Sequence, residues 1–287
     1  MTSFHIFLML LTAAAWGFNF VVTRVTLEVF TSGQLALART VITLVLLLPW
    51  WQPWRGVSFR HLVAGLAIGV ISFYAIYEAI RMTDSLTTVA IGTQLMAPVS
   101  AVIALVFYRE RITRRRWLGI LLATAGAIVL AGATGFGVSA IALGLTVLSV
   151  IAYSAGSIVV SKIGGVGIWR LLAWISAVST IPLGMIAAHS GPLFPNPSTL
   201  HLVHWLSLAY SSAVSSILGQ AVLFSMYRIY PVSEVASWML FVPVFAACSS
   251  VLVYHEQIEF SVAFGGAVIL LGVWIQQSRK GATFPVG

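Results

Sequence analysis

Two ionisable side chains, Arg39 and Glu78, stand well inside long apolar stretches of the chain. A charge in hydrocarbon costs about 3 kcal/mol on insertion scales, so such a residue pairs, faces a wet cavity or serves a function. Glu78 follows Tyr74 and Tyr77, and Arg81 lies four residues beyond Tyr77. Arg39 sits about two turns into its own stretch from the same side, at a depth that suits a partner for Glu78. Three chemistries stay open for the two: a structural ion pair, proton coupling through the carboxylate, and recognition of substrate charge.

Neutral polar residues recur with helical phase around them. Thr12, Trp16, Asn19 and Thr23 form one stripe, Ser149, Tyr153 and Ser157 a second, and Ser212, Ser216 and Gln220 a third. Ser and Thr also bond their own helix backbone, a bland fate for part of each stripe. Gln94 lies one turn before Pro98, and Trp238 and Phe241 precede Pro243. With Trp16, Tyr74 and Tyr153, these aromatics predict a cage for an amphipathic ligand, since a ring face attracts an ammonium by about 0.5 to 2 kcal/mol. Asn19, Gln94 and Gln220 supply neutral donors and acceptors for a carboxylate. The set suits a zwitterion better than a phosphorylated ligand, which calls for several intramembrane Lys or Arg.

The elements that must position these groups are membrane helices. Of the 287 residues 60% are hydrophobic and 8% charged, too little polar surface to coat a water-soluble globule. Apolar runs predict ten spans, near 3–23, 33–52, 61–81, 86–107, 116–133, 138–160, 168–188, 203–226, 232–254 and 260–277. With a cytoplasmic N-terminus, the inner loops and tail hold twelve Lys and Arg (Arg55, Arg60, Arg109, Arg111, Arg114, Arg115, Arg116, Lys162, Arg170, Arg228, Arg279 and Lys280) against Arg24 and Arg81 outside. The bias spreads over many short loops and predicts both termini in the cytoplasm. Trp50, Trp51, Trp54, Trp117 and Trp169 fall at predicted inner ends, where indole rings favour the interface. The net charge of +8 faces lipid headgroups rather than nucleic acid.

Laid on itself at a shift near 137, the chain matches Ala15, Trp16 and Val22 with Ala152, Tyr153 and Val159. Pro98, Glu110, Gly119 and Gly126 likewise correspond to Pro243, Glu256, Gly265 and Gly272. Residues 1–135 and 136–287 therefore read as two five-span halves, and an odd number of spans inverts the second in the membrane. Pro98 and Pro243 predict matched helix kinks near the binding site, and the paired glycines predict close packing of spans five and ten.

The Ala-Trp-Gly-Phe-Asn run at 15–19, Arg39, Pro98 and the Tyr108-Arg109-Glu110-Arg111-Ile112 segment resemble the EamA-type members of the drug/metabolite transporter superfamily. The resemblance covers essentially the whole chain. It implies a secondary exporter of small metabolites, often amino acids, with a central cavity between the halves; the aromatic amino acid exporters are the nearest functional picture. Glu256 occupies the family's acidic position but follows Tyr254-His255 instead of a small residue and Gly. Whether its loop does more than cap a helix stays open.

Competing classes lack their signatures. The sequence has no G-x-x-x-x-G-K-[ST] phosphate loop and no H-E-x-x-H metal motif, so no enzyme, cofactor or metal is expected. His189, His201 and His204 read as solvated loop residues or as a metal-capture site near the outer surface. The lone Cys248 excludes an intramolecular disulfide, and the N-terminus lacks the basic region of a cleaved signal peptide. The expectation is a multi-pass, bacterial-type inner-membrane exporter of amino acids that works by alternating access, touching lipid and a small substrate. A multidrug or cationic-compound exporter dependent on Glu78, and a sensor without flux, are the alternatives. Oligomeric state is not encoded in any of these signals.

Overall fold

The structure, a computed structural model, describes residues 1–52, 58–96, 98–99, 102–103, 106, 113–132, 140–161, 163–230, 235 and 238–277. Among them it is all helical. Six helices are long and apolar enough to cross a membrane: α1 (Ser3–Leu27), α2 (Ser32–Trp50), α3 (Phe59–Arg81), α6 (Ala140–Val160), α7 (Ile168–His189) and α8 (Leu202–Met226). Four shorter apolar helices fall within the other predicted spans: α4 (Leu86–Leu95), α5 (Trp117–Val129), α9 (Val242–Tyr254) and α10 (Phe260–Ile275).

Local chemistry sets the ends. Thr31 opens α2 with a capping box: its hydroxyl accepts the Gln34 N–H while the Gln34 side chain accepts the Thr31 N–H. Two helices share a rarer feature. The backbone of α3 widens to a π-helix over Gly65–Ser72, and that of α8 does so over Tyr210–Gly219. Such widening loosens the regular ladder of backbone hydrogen bonds and concentrates at functional sites. Both helices also begin alike. His61 in α3 and His204 in α8 are buried in the first turn, and each Nδ1 accepts a backbone N–H three residues back, from Ser58 and His201. His204 is thus a buried capping residue, not the solvated loop residue that its polarity predicts.

Cross-half contacts build the interior. α5 lies along α10, α2 along α7, α1 against α9 and α8, and α6 against α3 and α4. At the α5–α10 contact a Cβ on Gly126 would stand 2.7 Å from the Ile269 nitrogen, and one on Gly272 would stand 2.4 Å from that of Ala123. Only glycine admits this approach, and the contact is made within one chain. Pro243 does not kink a continuous helix. A turn at Leu240 and Phe241 breaks the rod, and α9 restarts at Val242 with the proline in its first turn, where no N–H is needed. Pro98 is buried and helical, with residues 97, 100 and 101 beside it outside the described set.

Candidate functional site

Arg39 lies seven residues into α2, about 10 Å from its start, and is only 5% exposed. Two hydroxyls from opposite halves hold its guanidinium: Nε–H donates to Ser216 Oγ of α8 and Nη1–H to the Tyr77 hydroxyl of α3. The Phe73 ring lies beneath it, 4.2 Å from Cζ to the ring centroid, and Tyr77 stacks beside Phe73 at 6.2 Å. Among the described residues no carboxylate comes within ion-pair distance of Arg39. Both contacts use neutral acceptors, so among the described residues a positive charge stays buried without a counter-charge.

The expected Arg39–Glu78 pair is not what forms. Glu78 pairs with Arg81, one turn along the same helix, with Arg81 Nε–H to Glu78 Oε2 at 3.1 Å. Neighbours three residues apart on one helix meet without any help from tertiary packing, and that proximity wins over a partner on another helix. The pair instead borders a separate cavity of about 390 Å³ at the end of the molecule formed by the α1–α2 turn, lined also by Phe30, Ser32 and Tyr74.

A cavity of about 20 Å³ adjoins Arg39, room for one water, between helices of the two halves. Thr40 and Thr43 line it from α2, Phe73 from α3, Ser176 and Ser179 from α7, and Ser216 and Gln220 from α8. The widened turns of α8 explain how the serines reach inward: Ser216 Oγ donates to the Ser211 carbonyl at 2.9 Å and still accepts from Arg39. Thr43 Oγ1 is buried with no partner among the described residues. Of the residues singled out by sequence, the structure brings Arg39, Tyr77, Ser216 and Gln220 together here. Phe73, Thr43, Ser176 and Ser179 escaped notice. For Thr43 the signal was present, a hydroxyl one turn from an intramembrane arginine.

The predicted aromatic cage does not assemble. Trp16 Nε1–H donates to the Ser215 carbonyl at 3.0 Å, inside the widened part of α8. Asn19 accepts from Ser211 Oγ at 2.9 Å and donates to Thr23 at 3.3 Å. Both residues fasten α1 to α8, as does Tyr210, whose hydroxyl donates to the Ala15 carbonyl at 3.0 Å. Trp238 stacks on Phe241 and packs with Met9 and Met239, while Tyr74 faces the larger cavity. Gln94 stands half-buried in the 3-10 turn ending α4, outside the Arg39 lining. The Tyr153 hydroxyl and Ser157 Oγ, one turn apart on α6, are buried with no partner among the described residues. Thr12 bonds the Leu8 carbonyl of its own helix at 2.8 Å, the bland alternative.

The loop after α9 resolves the question left at Glu256. His255 takes a left-handed conformation, φ 53°, turning the chain so that Glu256 accepts from Ser85 Oγ at 2.7 Å, Thr87 N–H at 3.3 Å and Ser250 Oγ. The carboxylate of one half thereby caps helix α4 of the other.

The sequence matches the EamA-like transporter family over residues 3–132 and again over 140–276. It is 24% identical to a probable amino-acid metabolite efflux pump of Salmonella typhimurium, over 94% of this chain and 93% of that protein. It is 25% identical to a protein of the same description from Escherichia coli, over 93% of each chain. An uncharacterized transporter of Archaeoglobus fulgidus is 25% identical over 95% of this chain and 97% of its own. One solved crystal structure superposes with a TM-score of 0.67 at 14% identity, covering 96% of this chain and 98% of that one, a likeness of fold alone.

Proposed function

Taking as premise that this chain belongs to the EamA-like transporter family, a family of transporters and not of enzymes, we propose that it exports amino acids as a secondary transporter. Arg39 receives the substrate carboxylate. The observation that carries this reading is a buried arginine whose guanidinium hydrogen bonds, among the described residues, go to two neutral hydroxyls, one from each half, beside a cavity between them. A carboxylate arriving there supplies the missing counter-charge and competes with Ser216 and Tyr77 for the guanidinium donors. Binding is thereby coupled to the contact between the halves. Gln220 and Thr43, which also line the cavity, offer further partners. Trp16, Asn19, Tyr153, Ser157 and Trp238 border the moving helices, and Tyr74 and the Glu78–Arg81 pair flank the outer cavity through which substrate leaves.

The architecture we infer is ten spans in two inverted halves, 1–135 and 136–287, with both termini cytoplasmic. The shared π-helical segments and first-turn histidines of α3 and α8 support the repeat. The halves rock about the site to alternate access, and Glu256 latches the outer side when that side is closed. The cationic-drug reading loses ground because Glu78 already has Arg81 as its partner.

Counterflow of radiolabelled amino acids, aromatic and aliphatic, in proteoliposomes containing only this protein tests the proposal. Wild-type protein is expected to exchange at least one neutral amino acid, and Arg39→Gln to lose about ten- to a hundred-fold in kcat/KM, the worth of one hydrogen bond to a charged group. Exchange undiminished in a folded Arg39→Gln protein refutes the role of Arg39. No exchange of any amino acid refutes the substrate class.

A further inference from the structure

A second cluster of unpaired polar atoms lies at the opposite end of α2 from the Glu78 cavity. Trp51 follows the 3-10 turn that closes α2, His61 stands in the first turn of α3, and Trp174 is six residues into α7. The Trp174 ring meets Trp51 edge-on at 6.2 Å and His61 edge-on at 6.3 Å, so the three rings join helices of both halves. Trp51 Nε1, His61 Nε2 and Trp174 Nε1 are all buried with no hydrogen-bond partner among the described residues. His61 itself is 1% exposed.

The hydrogen bonds fix what these atoms offer. His61 Nδ1 accepts the Ser58 backbone N–H at 3.1 Å, so it carries the lone pair, and the proton of the neutral ring is on Nε2. An indole nitrogen only donates. The cluster therefore presents three N–H donors and no acceptor, and its complement is a group that only accepts. Buried donors are rarely left unpaired, and here three rings in contact carry one unmet donor each. A carboxylate fits, since its two oxygens accept several N–H bonds at once. Its apolar or aromatic tail would rest against the indole faces.

The place in the fold gives the cluster a purpose. Residues 39, 43 and 47 step by four along α2, and Trp51 follows the 3-10 turn that closes it. Arg39 and Thr43 line the central cavity, and Leu47, 1% exposed, is buried with Ile68, Leu172 and Phe224. Trp51 lies beyond that apolar layer. Two polar stations thus flank one apolar plug.

We propose that Trp51, His61 and Trp174 form a second carboxylate-binding site, a loading station separated from Arg39 by the Leu47 layer. It rests on the amino-acid reading only for the identity of its natural ligand. The test uses the full-length protein in lipid nanodiscs with 15N-labelled His and Trp, titrated with 3-phenylpropionate, an aromatic carboxylate that lacks the ammonium group. The His61 signal is expected to report the Nε2–H tautomer. The N–H resonances of His61, Trp51 and Trp174 are expected to shift together and saturate, in wild-type protein and in Arg39→Gln alike. Equilibrium dialysis should find two ligands per chain in wild type and one in either Arg39→Gln or Trp51→Phe. Three resonances that stay fixed while 3-phenylpropionate saturates the protein overturn the site and leave a bound water as its occupant. Shifts that vanish in Arg39→Gln overturn it too, as an echo of the central site. The two proposals fail separately: the shifts without any amino-acid exchange keep this site and remove the substrate class, whereas amino-acid exchange without the shifts removes this site alone.

Discussion

Helices α3 and α8 begin with the same buried histidine and widen into the same π-helical geometry, yet they fill it with opposite chemistry. In α3 the widened segment is Gly65-Leu-Ala-Ile-Gly69-Val-Ile-Ser72, and α7 presses into it: Ser179 Oγ donates to the Gly65 carbonyl at 3.0 Å. In α8 it is Tyr210-Ser-Ser-Ala-Val-Ser-Ser-Ile-Leu-Gly219, whose hydroxyls turn to Asn19 and Arg39. One backbone device serves close packing in the first half and solvates a charge in the second. The backbone sets the geometry and its side chains set the chemistry, Gly and aliphatic residues for packing in α3 and hydroxyls for Asn19 and Arg39 in α8.

The largest effect should come from filling the packed side. A Cβ on Gly69 would lie 1.9 Å from Ser179 Oγ and 2.8 Å from its Cβ. Gly69→Val is therefore expected to drive α3 off α7, costing at least the roughly 1–3 kcal/mol of an overpacked core, with a lower Tm in nanodiscs and loss of monodisperse protein. Ser212→Ala, on the other helix, removes only a 3.4 Å contact to the Arg39 carbonyl and should leave the Tm close to wild type. If both variants melt alike, the division between the two helices fails.

A smaller effect, on activity instead of stability, should come from the polar side. Ser216→Ala and Tyr77→Phe each remove one of the hydroxyls that hold Arg39. Each frees a guanidinium donor for which the substrate carboxylate otherwise competes, so each is expected to lower KM about tenfold in counterflow, near the lower end of what a hydrogen bond to a charge is worth, with the fold retained. The two act on one guanidinium, so the double variant should not show the sum of the single effects. Strict additivity would mean that the hydroxyls do not share Arg39.

Six membrane-length helices were legible because apolar length is a strong signal, and the polar stripe of α8 held two residues, Ser216 and Gln220, that line the cavity beside Arg39. Partner choice was not legible. Glu78 chose Arg81 over Arg39 through proximity on one helix, a competition that depth alone does not decide. The roles of Trp16 and Asn19 were hidden for a different reason. Their partners, the Ser215 carbonyl and Ser211, lie where α8 departs from ideal helical phase, and apolar periodicity carries no trace of a π-helical turn. The histidine pair was readable in principle, as a His three residues after each of two repeat-related helix starts.

The topology offers a test of whether α3 and α8 really face opposite ways. With Cys248→Ser removing the only thiol, a cysteine placed at Ser58, just before α3, and one at Asn196, just before α8, should differ in access to a membrane-impermeant maleimide. Asn196→Cys is expected to label in intact cells and Ser58→Cys only after permeabilisation, because the basic loops predict the α2–α3 connection inside. Equal labelling from outside would place both helix starts on one face, and the inverted relation between the two widened segments would fall with it.

The smallest expected effect concerns the tether between α1 and α8. Trp16→Phe keeps the ring but deletes the Nε1–H that reaches the Ser215 carbonyl. The carbonyl belongs to the loosened ladder of a π-helix, so losing its donor should cost about 1 kcal/mol, the net worth of one neutral hydrogen bond. The matching loss on the packed side is Ser179→Ala, which deletes the donor to Gly65 and also leaves empty the space beside Gly69 that the Ser179 hydroxyl fills. The packing lost there adds to the lost bond, so Ser179→Ala is expected to melt below Trp16→Phe although both remove one interhelical donor. The opposite order would mean that the glycine-permitted contact contributes little to holding α3 against α7, and that the two widened segments are closer in kind than their side chains imply.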